Sequence, residues 1–311
     1  MSLSKQTVVV ALLSADQEFQ RLQAEDARSA ASANGLKTEI VYAEDSAIIQ
    51  IQQLYKFVHR PPAERPLAIV VETITGEGLE RVARAAVQAG IGWLIVNRRV
   101  PYLDTLRKEF PALPIGAITT DQIEVGRIQA RQILALMPHG QRTVLYVTGP
   151  PDTSAAKERL QGVNEGLLAS NVQLRLLEGQ WTEASGQHVV ERWLRMNLSE
   201  DAGPAIVACQ NDAMALGARR ALRARRDIPE LAQVPVTGVD GLVQGGRAQV
   251  DAGELAATVV TPSNGAPALH LLAQFVLTGR PLPAQTVLKP ESYPTEGTLT
   301  VRTRQAAGRL A

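Results

Sequence analysis

The sequence is most informative first in what it lacks. Its 311 residues contain one cysteine, Cys209, so no internal disulfide is possible. That leaves the compartment open, because many exported proteins of this size carry none. No apolar run approaches the ~18 residues of a membrane span. Neither charge sign is in excess, with 32 Lys plus Arg against 31 Asp plus Glu, so nothing draws the chain toward nucleic acid or a membrane surface. The one local concentration, "ARRALRARR" at 218–226, reads as the solvated face of a helix.

Chemical motifs are missing too. His59, His139, His188 and His270 are scattered, without cysteines or carboxylates at ligand spacing, so neither metal nor cofactor is expected. Ser154-Ala-Ala-Lys157 matches the Ser-x-x-Lys of penicillin-binding enzymes, but the accompanying Ser-Asp-Asn and Lys-Thr-Gly elements are absent. "GPPDTSAAKER" lacks the Gly-Lys-Ser/Thr of a phosphate loop, and no strand-to-helix turn carries Gly-x-Gly-x-x-Gly. An enzyme is not expected. The start, "MSLSKQTVVVALLSAD", lacks a signal-peptide layout: its apolar run ends at Leu13 without a small-residue cleavage site. Either a cytoplasmic protein or a mature exported form is compatible with this.

What is present is a repeated alternation. Apolar runs occupy 7–13, 38–42, 67–71, 93–96 and 114–118, and a second series occupies 143–147, 172–177, 205–209, 234–239 and 255–260. Amphipathic segments separate them, among them 19–34, 76–90, 121–136, 154–169, 185–198 and 213–225. Short apolar strands alternating with helices predict βαβ units and doubly wound parallel sheets. Because the series restarts near 142, after the breaker-rich "LMPHGQR", two similar lobes are expected rather than one long sheet. The chain length suits about two domains. Beyond 262 a helix, "GAPALHLLAQFVL", and a polar tail belong to neither series.

In open α/β sheets ligands bind beyond the C-terminal ends of the strands. There the sequence offers Asp16, Gln17 and Phe19, then Glu72, then Asn97 and Arg98; in the second series come "GPPDTSAAKER", "QNDAM" and "VDG", with Trp181 nearby. Carboxylates accept, guanidinium groups donate and carboxamides do both, which suits a polyhydroxylated molecule, and an aromatic face covers its C–H surface. Plainer readings stand beside this one. Asp240-Gly241 can be a turn, Asn97-Arg98-Arg99 before Pro101 a solvated loop, and Trp181 a core residue. Asp212 is the expected N-cap of the helix from Ala213, with Met214, Gly217, Ala218, Ala221 and Leu222 on its apolar face, which leaves Asn211 unexplained.

Three blocks, "TSAAKERLQGVNEGL" (153–167), "CQNDAMALGARRAL" (209–222) and "VTGVDG…VDAGELAATVV" (236–260), closely resemble ribose-type periplasmic binding proteins. These are the type I solute-binding proteins of ABC sugar importers, relatives of lac-repressor effector domains. The resemblance implies two Rossmann-like lobes joined by three crossover strands, with the ligand in the cleft and a hinge closure on binding. The lobes would be 1–120 with 262–289, and 121–261 with 290–311. It further implies a sugar or polyol as ligand, an ABC permease as partner, a periplasmic location and a monomer that contacts no nucleic acid. Carried over, Arg159 matches the sugar-binding arginine, Asn211 the asparagine, Asp240 the aspartate and Arg98 the arginine of an Asp-Arg pair. Trp181 and Phe19 match the stacking aromatics, and Thr261 takes the crossover position.

The departures are specific. Asn97 replaces the aspartate before Arg98, Glu72 stands where asparagine is expected, and Gln17 and Gln20 replace asparagine and a second phenylalanine. These argue against ribose itself. Glu72 and Asp240 balance Arg98 and Arg159, which favours a neutral, hydroxyl-rich ligand. The alternative reading is a cytoplasmic effector-sensing domain of a lac-repressor-type regulator, and a doubly wound enzyme ranks third for want of a nucleophile or cofactor loop. Asn211→Ala is expected to weaken binding with little loss of stability, and Asp212→Ala to cost about 1 kcal/mol for a lost cap.

Overall fold

The computed structural model describes residues 6–76, 78–197 and 203–299. The chain divides into two compact units, one spanning Met1–Thr120, Asp152–Ser154 and Ser263–Leu288, the other Asp121–Pro151, Ala155–Pro262 and Lys289–Ala311.

The first unit alternates strictly: β1 (Thr7–Leu12), α1 (Glu18–Ala33), β2 (Lys37–Tyr42), α2 (Ala47–Val58), β3 (Ala68–Val71), α3 (Glu80–Gln88), β4 (Gly92–Val96), α4 (Leu103–Glu109) and β5 (Ile115–Thr120). The second runs α5 (Gln122–Leu136), β6 (Thr143–Thr148), α6 (Ser154–Leu167), β7 (Gln173–Glu178), α7 (Glu183–Asn197), β8 (Ile206–Cys209), α8 (Asp212–Ala224), β9 (Val236–Asp240), α9 (Ala248–Asp251) and β10 (Ala257–Val260). The chain then returns with α10 (Gly265–Thr278) and β11 (Gln285–Leu288) to the first unit, and with β12 (Glu291–Tyr293) to the second.

Each unit therefore holds a six-stranded sheet, ordered β11-β5-β4-β3-β1-β2 in one and β12-β10-β9-β8-β6-β7 in the other. All pairings are parallel except that of β12 with β10. The doubly wound α/β fold with two Rossmann-like sheets is thus as the sequence predicts. The period of two along each strand explains the layering. In the first sheet Val9, Ala11, Ile69, Val71, Trp93 and Ile95 face α2, α3 and α4, while Val8, Val10, Leu12, Val70, Leu94 and Val96 face α1 and α10. In the second, Leu145, Val147, Val207 and Cys209 pack on α7 and α8, and Val144, Tyr146, Ile206 and Ala208 on α5 and α6.

All ten apolar runs are strands, with ends shifted by a residue or two. Helix α3 begins at Glu80, not 76, because Gly76 lies in a bend and residues 78–79 form a turn. Residue 77 of that expected helix, residue 198 of the helix expected over 185–198, and residues 300–311 of the tail lie outside the described residues. One expectation fails. Of the basic run at 218–226, Arg219 is buried, because α8 lies flat on its sheet and this position faces inward; its guanidinium donates to the carbonyls of Glu254 (2.8 Å), Ala232 (3.0 Å) and Val234 (2.9 Å). Arg220, Arg223 and Arg226 are exposed.

Candidate functional site

In the first unit the strand ends converge on one buried carboxylate. Glu72 directly follows β3 and is 1% exposed. Its Oε1 accepts from Asn97 Nδ2 (2.9 Å), and its Oε2 from Gln20 Nε2 (3.0 Å) and Gln23 Nε2 (2.7 Å). Arg98 Nε stands 3.7 Å from Oε1. A buried carboxylate without such donors would be several kcal/mol too costly to keep charged, about the desolvation penalty of one ion. The donors are fixed in turn. Gln20 Oε1 accepts from the Leu13 amide (3.2 Å), and Gln50 ties the Glu72 carbonyl (2.8 Å) to α2.

Arg98 is also buried, and its Nη1 donates to the carbonyls of Thr73 and of Ile74 (2.7 Å). Burial pulls the guanidinium below its ordinary pKa, while Glu72, Asp152 and Asp45 pull it back up. The remaining candidates lie on the β1–α1 connection. Gln17 Nε2 donates to both Asp45 oxygens (3.1 and 3.2 Å), Asp16 is exposed, and Phe19 is buried at the start of α1. Burial raises the Asp45 carboxyl, against the Gln17 bond and the charge of Arg98.

In the second unit Arg159 projects from α6, buried, with its Nε donating to Gln122 Oε1 (2.7 Å) and its Nη1 to the Gln210 carbonyl. Its guanidinium carbon lies 5.7 Å from the centre of the Trp181 ring, within cation–π range. That ring lies flat on Gly149: a β-carbon there would stand 2.0 Å from the indole. It also packs against the α7–α8 core, so the core reading of Trp181 holds for part of its surface.

The cap expected of Asp212 is made by Asn211. Asn211 is the N-cap of α8: its backbone is extended (φ −152°, ψ 167°) and its Oδ1 accepts from the Met214 amide (2.9 Å). Its Nδ2 donates to the Trp181 carbonyl (2.8 Å). Asp212 is already helical, one residue further round, and its carboxylate is directed at β9 and β10. There Oδ2 accepts from the Gly241 amide (2.8 Å) and Oδ1 from the Thr258 hydroxyl (2.7 Å). The helix begins one residue earlier than its apolar periodicity suggests.

Asp240 ends β9 in a left-handed backbone (φ 116°), and its carbonyl accepts from the Thr261 amide (3.1 Å). Thr261 is 4% exposed, and its hydroxyl has no hydrogen-bond partner among the described residues. Among the described residues five non-glycine positions have positive φ: Glu44, Asp45, Asn97, Trp181 and Asp240. Three of the five are site candidates, so the backbone strain gathers at the strand ends.

Sequence reasoning missed the supports of these residues, namely Gln23, Gln50 and Gln122, and misread Asp212. A signal was there: Gln20 and Gln23 on α1, and Gln122, Gln129 and Gln132 on α5, are carboxamides at buried helical positions. A buried carboxamide needs partners, and here most of these partners are other polar groups of the same unit.

The model of the "Periplasmic binding protein domain" family matches residues 8–277. A Rhizobium meliloti protein named for rhizopine binding is 25% identical over 236 residues, 75% of this chain and 71% of that one. The ribose import binding protein RbsB of Salmonella typhimurium is 30% identical over 162 residues, and there the match spans about half of each chain, 52% and 51%. Among solved structures, the Caulobacter myo-inositol binding protein bound to myo-inositol superposes with a TM-score of 0.80 at 23% identity, over 96% of this chain and 95% of that one. With a family model that covers most of its length, the chain belongs to the periplasmic binding protein domain family.

Proposed function

We propose that this protein is a non-enzymatic receptor for a small neutral carbohydrate or polyol. The reading extends to a periplasmic location and delivery to the permease of an ABC importer. The observation that carries it is Arg159. It is a buried guanidinium braced by Gln122 and Gln210 beside the Trp181 ring, at the strand ends that also present Asn211, Asp240 and Thr261. Hydrogen-bonding cations set against an aromatic face suit hydroxyl groups on a C–H-rich ring. In the first unit Asn97, Arg98, Gln17, Asp16 and Phe19 supply the matching set, while Glu72 and Gln20 hold it from behind. The names of the relatives, with ribose and rhizopine among their ligands, support the same class.

The test is calorimetric titration of the purified protein with myo-inositol, D-ribose, L-arabinose, D-allose and D-fructose, with D-glucuronate as an acidic control. One or more neutral compounds bind 1:1. Arg159→Ala and Asp240→Ala each weaken that binding by about 2–3 kcal/mol, the cost of leaving polar partners unpaired. Binding of the acid alone, or of none of the panel, overturns the reading.

A further inference from the structure

We propose that Asp212 is the positioning residue of the second unit, setting the Asp240–Gly241 turn and tying it to the Asn211 cap. The role in recognition rests on the carbohydrate reading above; the role in the turn does not.

Asp212 was expected to serve its own helix, yet its side chain makes the turn-holding bonds instead. One oxygen takes the Gly241 amide (2.8 Å) and the other the Thr258 hydroxyl (2.7 Å), so a residue of α8 grips β9 and β10 together. The site is built around that carboxylate. A β-carbon on Gly238 would lie 2.1 Å from Oδ1, and one on Gly246 would lie 1.9 Å from Oδ2. Two glycines thus leave the space that the carboxylate fills, and a longer acid has no room.

What it holds is a turn of two residues with positive φ. Asp240 (φ 116°) and Gly241 (φ 61°) are both left-handed, a costly state for an aspartate. Beyond the carboxylate, the Gly241 carbonyl accepts from Arg247 Nε (2.9 Å) and the Asp240 carbonyl accepts from the Thr261 amide (3.1 Å). Residue 212 also follows Asn211 directly, whose side chain reaches the Trp181 carbonyl. One buried carboxylate therefore fixes the spacing between the Asn211–Trp181 pair and the Asp240–Thr261 pair.

The test compares amide exchange, read residue by residue by NMR on ligand-free wild type, Asp212→Ala and Asp212→Asn. Loss of a charge-assisted bond should speed exchange at Gly241 by about tenfold or more in Asp212→Ala, while Val207 and Ala208 in β8 keep their rates. Asp212→Asn should restore protection, because the Thr258 hydroxyl can turn to accept from the carboxamide and leave its oxygen to Gly241. Unchanged exchange at Gly241, or equal acceleration in β8, overturns the proposal. Should Asp212→Ala fail to fold, Thr258→Val replaces it: losing the hydroxyl bond to the carboxylate should speed Gly241 exchange a few-fold, and no change overturns the idea.

A titration with the five neutral compounds of that panel, myo-inositol, D-ribose, L-arabinose, D-allose and D-fructose, separates the two claims. Weaker binding by Asp212→Ala, about tenfold or more, with recovery in Asp212→Asn supports the recognition role, and equal affinity overturns it. If wild type binds none of the five while Gly241 responds as expected, the carbohydrate reading fails and the turn assignment stands.

Discussion

Asn211 and Trp181 are joined by a 2.8 Å bond from the carboxamide nitrogen of one to the backbone carbonyl of the other. The same carboxamide caps α8 through its oxygen, so a single side chain serves both the helix and the residue carrying the indole. Asn211→Ala should therefore cost about 1–2 kcal/mol of stability, more than a purely ligand-facing residue would. Asn211→Ser, which keeps a capping oxygen but cannot reach Trp181, should recover about half of that loss. Urea unfolding of the three proteins measures both.

Glu72 collects donors from Gln20, Gln23 and Asn97, with Arg98 nearby. Glu72→Ala removes an acceptor from three carboxamides and the neighbouring opposite charge from a buried guanidinium, and should destabilise by about 3–5 kcal/mol. Glu72→Gln keeps the volume but turns an NH2 toward donors, so a smaller loss of about 2 kcal/mol is expected. The midpoints of urea curves with unchanged slope report these differences.

Gly149 supports the Trp181 indole by having no side chain. Gly149→Ala should push the ring off its seat and toward water. In a Trp93→Phe, Trp193→Phe background, Trp181 is the remaining tryptophan of the three, so its emission maximum should move to longer wavelength. An unmoved maximum would show that the backbone had shifted instead of the ring.

Neighbouring arginines on α8 should behave oppositely. Arg219 is buried on three backbone carbonyls, whereas Arg220 is exposed and pairs with Glu183 at 2.8 Å. Arg219→Ala should cost about 3 kcal/mol, since three acceptors lose a charged donor. Arg220→Ala should stay within about 0.5 kcal/mol, as surface pairs do. Thermal or urea unfolding of the two variants checks the contrast.

The inner strands of both sheets were legible because they are buried on both faces, and such strands read as unbroken apolar runs. Strands β11 and β12 were not legible, for the opposite reason: they are short edge strands, each with exposed and part-buried residues. The strand-end rule pointed to Arg98, Arg159, Asn211 and Asp240, since chain order alone puts residues after parallel strands at one edge. It could not say which of two adjacent polar residues caps a helix. Asn211 and Asp212 are equally good caps by residue type, and their roles are decided by the angle at which the chain leaves β8. Nor could it separate Glu72 from the residues it holds, because its partners come from α1 and from the end of β4, far apart in sequence.

The returning segment has a consequence for biosynthesis. Ala268, Leu269, Leu272 and Ala273 of α10 belong to the same core as Val8, Val10 and Leu12 of β1, and β11 supplies the far edge of that sheet. A ribosome that has delivered the first 120 residues has yet to make this cover. About 140 residues separate the two, which at about 5–20 residues per second is roughly ten seconds or more of waiting. Through that interval one apolar face of the first sheet has α1 but lacks α10, the second of its two covering helices. The order of the elements thus makes a chain that extends past β11, rather than one that has reached only β5, the earliest form able to close that core.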